Sequence, residues 1–564
     1  MSEISESTKN LIDKYSFWQK SLKPSDSAPT IHVDEVASKV AAFYEQIRTI
    51  IDWKEEHLMR RAAIIRKLKG RFLDLELNSF SSDNIAEPLV LELIRGGYFP
   101  NDRIEESKIQ DVQKIINKYV FILKHSPENK KGKVGIQFYT KLLEIAACEI
   151  EETLAPSIKE MALMDYMFEM MKARIKVNEA IYEKNILKRE PAHNAFGIPT
   201  SNAERSSVGW ADAGGEKDIQ IYIAVQQSLF KLDAPIISYN LIKYKYPQWD
   251  KPSEEELFKI SQNIFKILQI IEKDLSCPIA RKFYYVCEKY DTPYLLLGDI
   301  LSKDDIEKIA KEIQDPSSME AKVQNAYVKR LKDLKAKIKR AAIYSTTSIF
   351  ITKVLSLILL EIILAKIFKG HINITALSVD ILLPTFLMIF LVTTIKPPSK
   401  KNLQLVILET MKIVYKKDKI DIYEIKLNRK RGLSTKFFLS LIYLVGACIT
   451  FGFIYWIFNY FKFPITSILI DTIFIALILF AGKAIKTRSQ ELTIEEEPGG
   501  FLGFMSDILL LPITGMGRWM SNTWKQYNAI AAFFNALIDM PFSSFVEFVE
   551  GWRYFIKEKK EEMR

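Results

Sequence analysis

The chain has 564 residues, a net charge of +10, 48% hydrophobic and 26% charged residues, which fits a large water-facing portion joined to a membrane portion better than either alone. The basic excess gathers beside long apolar runs, so anionic lipid is the expected partner and nucleic acid is not, each Lys or Arg near an anionic leaflet gaining about 1 kcal/mol. Cys148, Cys277, Cys287 and Cys448 lack C-x-x-C spacing and are expected to be reduced thiols, and the polar N-terminal stretch shows no apolar core of a cleavable signal peptide.

Residues 1–30 are polar, end in KPSDSAPT and read as a flexible arm. From His32 the pattern is helical: Val112, Ile115, Ile116, Tyr119 and Leu123 recur at three- and four-residue steps, as do Leu257, Ile260, Ile264, Ile267, Leu268 and Ile271. Gly96-Gly97 before Pro100 can end one helix, and Ser253 with Glu256 forms a capping box for another. Met161, Met164, Met167, Met170 and Met171 stand at helical spacing and read as core, although a Met-rich face can also serve as an adaptable groove. Residues 193–217, rich in Gly, Ser, Asn and Ala, read as a linker between helical domains at 31–192 and 218–343. The basic helix near Ser318–Arg340 runs directly into the first apolar run, a continuity that would couple the bilayer to the water-facing part.

Four runs are long and apolar enough to cross a bilayer: Tyr344–Phe368, Ile372–Ile395, Phe437–Phe461 and Pro464–Gly482. Tight turns join them as two hairpins, at 344–395 and 437–483. Positive charge precedes the first run, fills the 396–436 connector and follows the fourth run, which predicts cytoplasmic termini and a multi-pass protein of the cytoplasmic membrane. A constant offset of 91 residues relates Lys339-Arg340 to Lys430-Arg431, Ile374-Thr375 to Ile465-Thr466 and Asp380 to Asp471; parallel duplication and coincidence both fit that offset. In the connector, Leu403–Tyr415 reads as an amphipathic helix and Tyr423, Ile425 and Leu427 as a short strand.

The tail, residues 484–564, is dense in aromatics yet interrupted after EEEPGG, and reads as amphipathic helices lying on the cytoplasmic leaflet or packed beneath the bundle. A hairpin binding another subunit is the competing reading. Candidate lipid-interface residues are Lys339, Arg340, Arg429, Lys430, Arg431, Trp519, Trp524 and Trp552. The segments FLGFMSDILLLPITGMGRW, FFNALIDMPFSSFVEFVEGWRYFIKEKKEE and the central YEIKLNRKR resemble an uncharacterised family of multi-pass membrane proteins from ultrasmall candidate-phylum bacteria. The resemblance covers about the last third of the chain; it implies a bacterial cytoplasmic membrane and a long helical cytoplasmic region, and no activity.

Ionisable residues inside the apolar runs carry the sharpest chemistry. A carboxylate at the bilayer centre costs roughly 2.5–3.5 kcal/mol, and Asp380 and Asp471 stand about 10–13 Å from the outer ends of their runs. Both should face the bundle interior, with Glu361 a third acid and Lys353 and Lys366 as partners or as snorkelling cations. These acids either form an ion or proton pathway or hydrogen-bond across helices, for instance to Thr375 or Thr466, and fix packing. The chain shows no phosphate loop, no G-x-S-x-G, no H-E-x-x-H and no paired Cys/His set. No cofactor or metal is expected, and the reading is non-enzymatic: an all-α membrane scaffold or interaction protein with protein partners or further copies of itself. The alternative is an oligomeric channel or transporter using Asp380, Asp471 and Glu361.

Overall fold

The computed structural model describes residues 3–21, 29–33, 56–73, 84–127, 136–177, 215–303, 305–358, 374–395, 398–416, 421–425, 433–461, 463, 465–494, 501–527 and short pieces of 548–559. The fold is all-α, with two three-residue strands as the only named strands among these residues. Its helices in chain order are α1 (Glu6–Ser21), α2 (Glu56–Leu73), α3 (Ala86–Arg95), α4 (Ser107–His125), α5 (Ile136–Leu154) and α6 (Ile158–Arg174). Strand β1 (Ile175–Val177) follows, then α7 (Glu216–Leu229), α8 (Ala234–Lys245), α9 (Glu254–Leu275), α10 (Ala280–Lys289), α11 (Asp291–Lys303), α12 (Ile306–Glu312) and α13 (Pro316–Ser356). The remainder is α14 (Ile374–Thr393), α15 (Lys400–Val414), β2 (Tyr423–Ile425), α16 (Leu433–Tyr460), α17 (Ile465–Ser489) and α18 (Phe501–Tyr527).

Local signals explain many boundaries. Ser253 accepts from the Glu256 amide while the Glu256 carboxylate accepts from the Ser253 amide, so the expected capping box starts α9. Gly97 takes a positive φ of 74° directly after α3, a conformation that costs glycine no Cβ clash, and the Tyr98 amide returns to the Leu93 carbonyl. The α4 stripe is buried throughout, and Met164, Met167 and Met171 lie in the core, so the methionines of α6 fill space there.

Two apolar cores divide these helices. One gathers α2, α3, α4, α5, α8 and α9; the other gathers α1, α6, α10, α11, α12, α15 and the first half of α13. Helix α7 serves both, sending Ile219 and Ile223 to the first and Ile221, Ala224, Val225 and Leu229 to the second. Each core therefore draws on residues from both sides of 193–217: α6 belongs with the later helices, and α8 and α9 belong with the earlier ones. Residues 193–214, Trp210 included, lie outside the described residues.

The expected flexible arm is corrected. Residues 6–21 form α1, with Leu11 and Tyr15 each only 2% exposed in the second core. Its apolar residues are few, but Leu11 and Tyr15 sit at an i,i+4 spacing that puts them on one face. The Ser5 amide donates to the Val414 carbonyl and Lys416 to the Glu3 carbonyl, which ties the N-terminus to the connector.

The connector is equally integrated. Helix α15 and β2 fall where the alternation and amphipathicity placed them, and β2 pairs in parallel with β1, Ile175 opposite Tyr423 and Val177 opposite Ile425. Beyond these cores lie the apolar helices. Phe437–Tyr460 and Ser467–Ser489 are each long and apolar enough to cross a membrane, at a mean hydropathy of 2.3. A shorter apolar stretch, Ser378–Thr393, lies in α14. The first expected run is described only to residue 358, as the continuation of α13, so its last ten residues lie outside the described residues.

Helix α18 departs from the expected interrupted tail. It is one continuous helix despite Pro512, and it packs against the sides of α16 and α17 at mid-length. Thr450 Oγ1 donates to the Leu509 carbonyl at 2.7 Å, and Ile513 is buried among Ile454, Phe458, Ile475 and Ala476. Burying those apolar residues against the spans favours this position over one beneath the bundle.

Candidate functional site: a buried lysine between two aspartates

Three helices converge on one charged cluster. Helix α13 supplies Lys353, α14 supplies Asp380 and α17 supplies Asp471, with exposures of 0%, 2% and 1%, so bulk water reaches none of them. Lys353 Nζ lies 2.8 Å from Asp380 Oδ1 and 2.7 Å from Asp471 Oδ1. One ammonium thus serves two acids. The Phe474 ring centroid stands 5.3 Å from the same Nζ, within range of a cation–π contact.

The local sequence places each group. Asp380 and Asp471 each stand six residues past the first residue of their helices, Ile374 and Ile465, about 9 Å along the axis. Pro384, four residues after Asp380, has no N–H to offer the Asp380 carbonyl, so polar backbone is freed next to the cluster. The carboxylate oxygens of Asp380 and Asp471 are buried and accept no well-directed hydrogen bond, their close polar contact being the shared Lys353 ammonium.

Of the sequence candidates, Asp380 and Asp471 are brought together and both face inward. Glu361, Lys366, Arg429, Lys430 and Arg431 lie outside the described residues, as do the side chains of Thr375, Thr466 and Trp524. Lys339 and Arg340 are exposed on α13, and Trp519 and Trp552 are 68% and 57% exposed, as an outward-facing role for them requires. Lys353 takes the partner alternative: a snorkelling cation would be exposed at its tip, whereas this one is enclosed. Its spacing alone could not reveal that, because both its partners lie on other helices.

A second polar node lies in the second core, at the base of the apolar helices. Asn402 of α15 donates from Nδ2 to the Tyr327 hydroxyl at 3.0 Å and to the Leu492 carbonyl at 2.6 Å, and its Oδ1 accepts from the Ile494 amide at 2.8 Å. It is 3% exposed, so each bond replaces one to water. Nearby, Thr292 Oγ1 donates to the Glu491 carbonyl at 3.2 Å, and burial pushes the neighbouring Asp291 carboxyl up to about 8.

Another buried ionic pair lies in the first core. Lys118 meets Glu149 and donates to the Trp249 carbonyl, while Tyr119 donates to Glu149 at 2.8 Å. Burial lowers the Lys118 ammonium and raises the Glu149 carboxyl, the pair itself opposing both shifts. Among the described residues no group of three or more His, Cys, Asp or Glu could hold a metal ion. Comparison with family models, curated proteins and solved structures finds no match to this chain.

Proposed function

We propose that the protein is a multi-pass membrane scaffold whose helical body is held rigidly against the cytoplasmic leaflet by the roots of its membrane helices. The observation that carries this reading is the Asn402 node, which joins α13, the connector and the segment after α17 in one core. The chain leaves that core after α13 and returns at α15; it leaves again after β2 and returns at Leu492 and Ile494. Each excursion is then a hairpin of two crossings, which supports four membrane helices with both roots on one side. Positive charge at those roots supports the cytoplasmic side.

Large apolar side chains exposed along the excursions, among them Leu382, Phe386, Phe438, Phe453, Trp456 and Leu469, support contact with lipid. The resemblance of the tail to a bacterial multi-pass family agrees with this location. The scaffold reading is tested with photo-crosslinking residues at the exposed Phe258 and Tyr285, introduced singly into the full chain in native membranes. Discrete protein adducts are expected. No adduct from either position, with unchanged growth when the protein is absent, rules the scaffold out.

A second reading, an oligomeric proton or cation transporter, is favoured by the unequal charges of the Lys353, Asp380 and Asp471 cluster. It predicts flux through liposomes carrying the purified protein, abolished by Asp380→Asn with Asp471→Asn. A well-inserted wild type without flux removes it.

A further inference from the structure

With Lys353 charged and both aspartates ionised, the cluster carries one uncompensated negative charge inside an apolar bundle. The other charged groups of the three helices do not offset it. Among the described residues, the nearest along α13 and α17 are Arg340 and Lys483, 13 and 12 residues away and so about 18–20 Å along the axis. Helix α14 carries no charged residue besides Asp380, and Arg518 of the adjacent α18 is exposed. Glu361 and Lys366 lie outside the described residues.

Geometry indicates what completes the charge. Both carboxylates have buried oxygens, and Oδ1 of each lies against the same ammonium, at 2.8 and 2.7 Å, so the two Oδ1 atoms are no more than 5.5 Å apart. One ammonium between two acids leaves an acceptor in excess of the charge it can balance. Calcium or magnesium would take about six to eight oxygen ligands, and two carboxylates beside an ammonium do not form such a shell.

We propose that Lys353, Asp380 and Asp471 form a binding site for one proton, held between the two carboxylates while Lys353 keeps its own. On uptake, a proton from water forms an O–H bond on one aspartate, which donates to the other; the total charge goes from minus one to zero, and no other bond changes. Occupied, the site locks α13, α14 and α17 together; emptied, two like charges press α14 from α17 around the single ammonium. The site is an equilibrium property and holds whether or not the protein moves protons or recruits partners.

The test is infrared spectroscopy of the full-length protein in lipid vesicles near neutral pH, following the C=O stretch of protonated carboxyl groups and its shift in D2O. Asp380→Asn and Asp471→Asn keep the side-chain shape, and each leaves one carboxylate paired one-to-one with Lys353. Each single variant should lose the signal of one carboxyl relative to wild type, and the double variant should lose no more than either alone. That pattern belongs to one shared proton. Lys353→Met should gain one protonated carboxyl; if it does not fold, the asparagine variants decide alone. No loss in either single variant, or a twofold loss in the double, overturns the proposal.

Discussion

Asn402 and Tyr327 are 75 residues apart and share a buried hydrogen bond, so the connector and the long helix α13 meet at one point beneath the apolar helices. The same Nδ2 also reaches the Leu492 carbonyl, and Oδ1 accepts from Ile494, leaving the amide satisfied on both sides. Replacing Asn402 by Leu strands the Leu492 carbonyl and the Ile494 amide in the core. At about 1–3 kcal/mol for each buried group left unsatisfied, the variant should unfold its body well before wild type. The check is the thermal midpoint of tryptophan fluorescence in detergent; an unchanged midpoint means the node is not holding the roots together.

Asp291 offers a pH signature in the same core. Burial raises its carboxyl to about 8 from an ordinary value of 3.8, so the folded protein holds this proton more tightly than the unfolded chain. By linkage the contribution is fully present below about pH 4 and is lost as pH rises through about 8. Asp291→Asn keeps the neutral form at every pH. The stability difference between Asp291→Asn and wild type should therefore grow across that interval, in the variant's favour and on the order of a few kcal/mol. Parallel curves would show that Asp291 is ionised at no unusual cost.

Legibility followed the physics of local pattern. The helices of the body, the capping box at Ser253 and Glu256, and the continuity of α13 from Pro316 into the first apolar run were readable because each depends on neighbouring residues. So were the positions of Asp380 and Asp471, since an ionisable residue in an apolar run has few tolerable orientations. The assortment of the cores was not readable. Helix α7 is buried on opposite faces, and nothing within Glu216–Leu229 says which face meets which core. Lys353 was likewise ambiguous, because snorkelling and enclosure differ only in what other helices bring. The 91-residue offset now has a partial counterpart in space. Ile374 and Ile465 both begin helices and both aspartates meet one lysine, yet the position matching Lys353 is Leu444, 59% exposed.

Lys353 also makes a stability prediction. Removing one partner of a buried ionic cluster costs about 3–5 kcal/mol, while replacing the whole cluster by shape-matched neutral groups is often neutral or better. Lys353→Met should accordingly destabilise the bundle, and Lys353→Met with Asp380→Asn and Asp471→Asn should recover most of the loss. The measurement is the midpoint of detergent-induced unfolding at neutral pH. Because protonation neutralises the stranded acids, the Lys353→Met deficit should shrink as pH falls. A triple variant no better than Lys353→Met alone would mean that packing around the lysine stem, not charge, sets the cost.

The docking of α18 rests on one close approach. A Cβ added at Gly517 would collide with the Ala476 carbonyl oxygen and stand 2.9 Å from Phe480 Cβ, and the first of these is backbone of α17, which cannot rotate away. Gly517→Leu should therefore lift α18 from α17. A reporter lies where the same helix meets α16, at the contact of Thr450 with the Leu509 carbonyl. In a Cys448→Ser background, cysteines at positions 450 and 509 should crosslink in membranes with a short bifunctional reagent, and adding Gly517→Leu should reduce the yield severalfold. Equal high yields would show that the close approach at Gly517 does not hold α18, and no crosslink even before Gly517→Leu is added would place α18 away from α16. The tail would then return to the leaflet surface, where its aromatic residues alone would have put it.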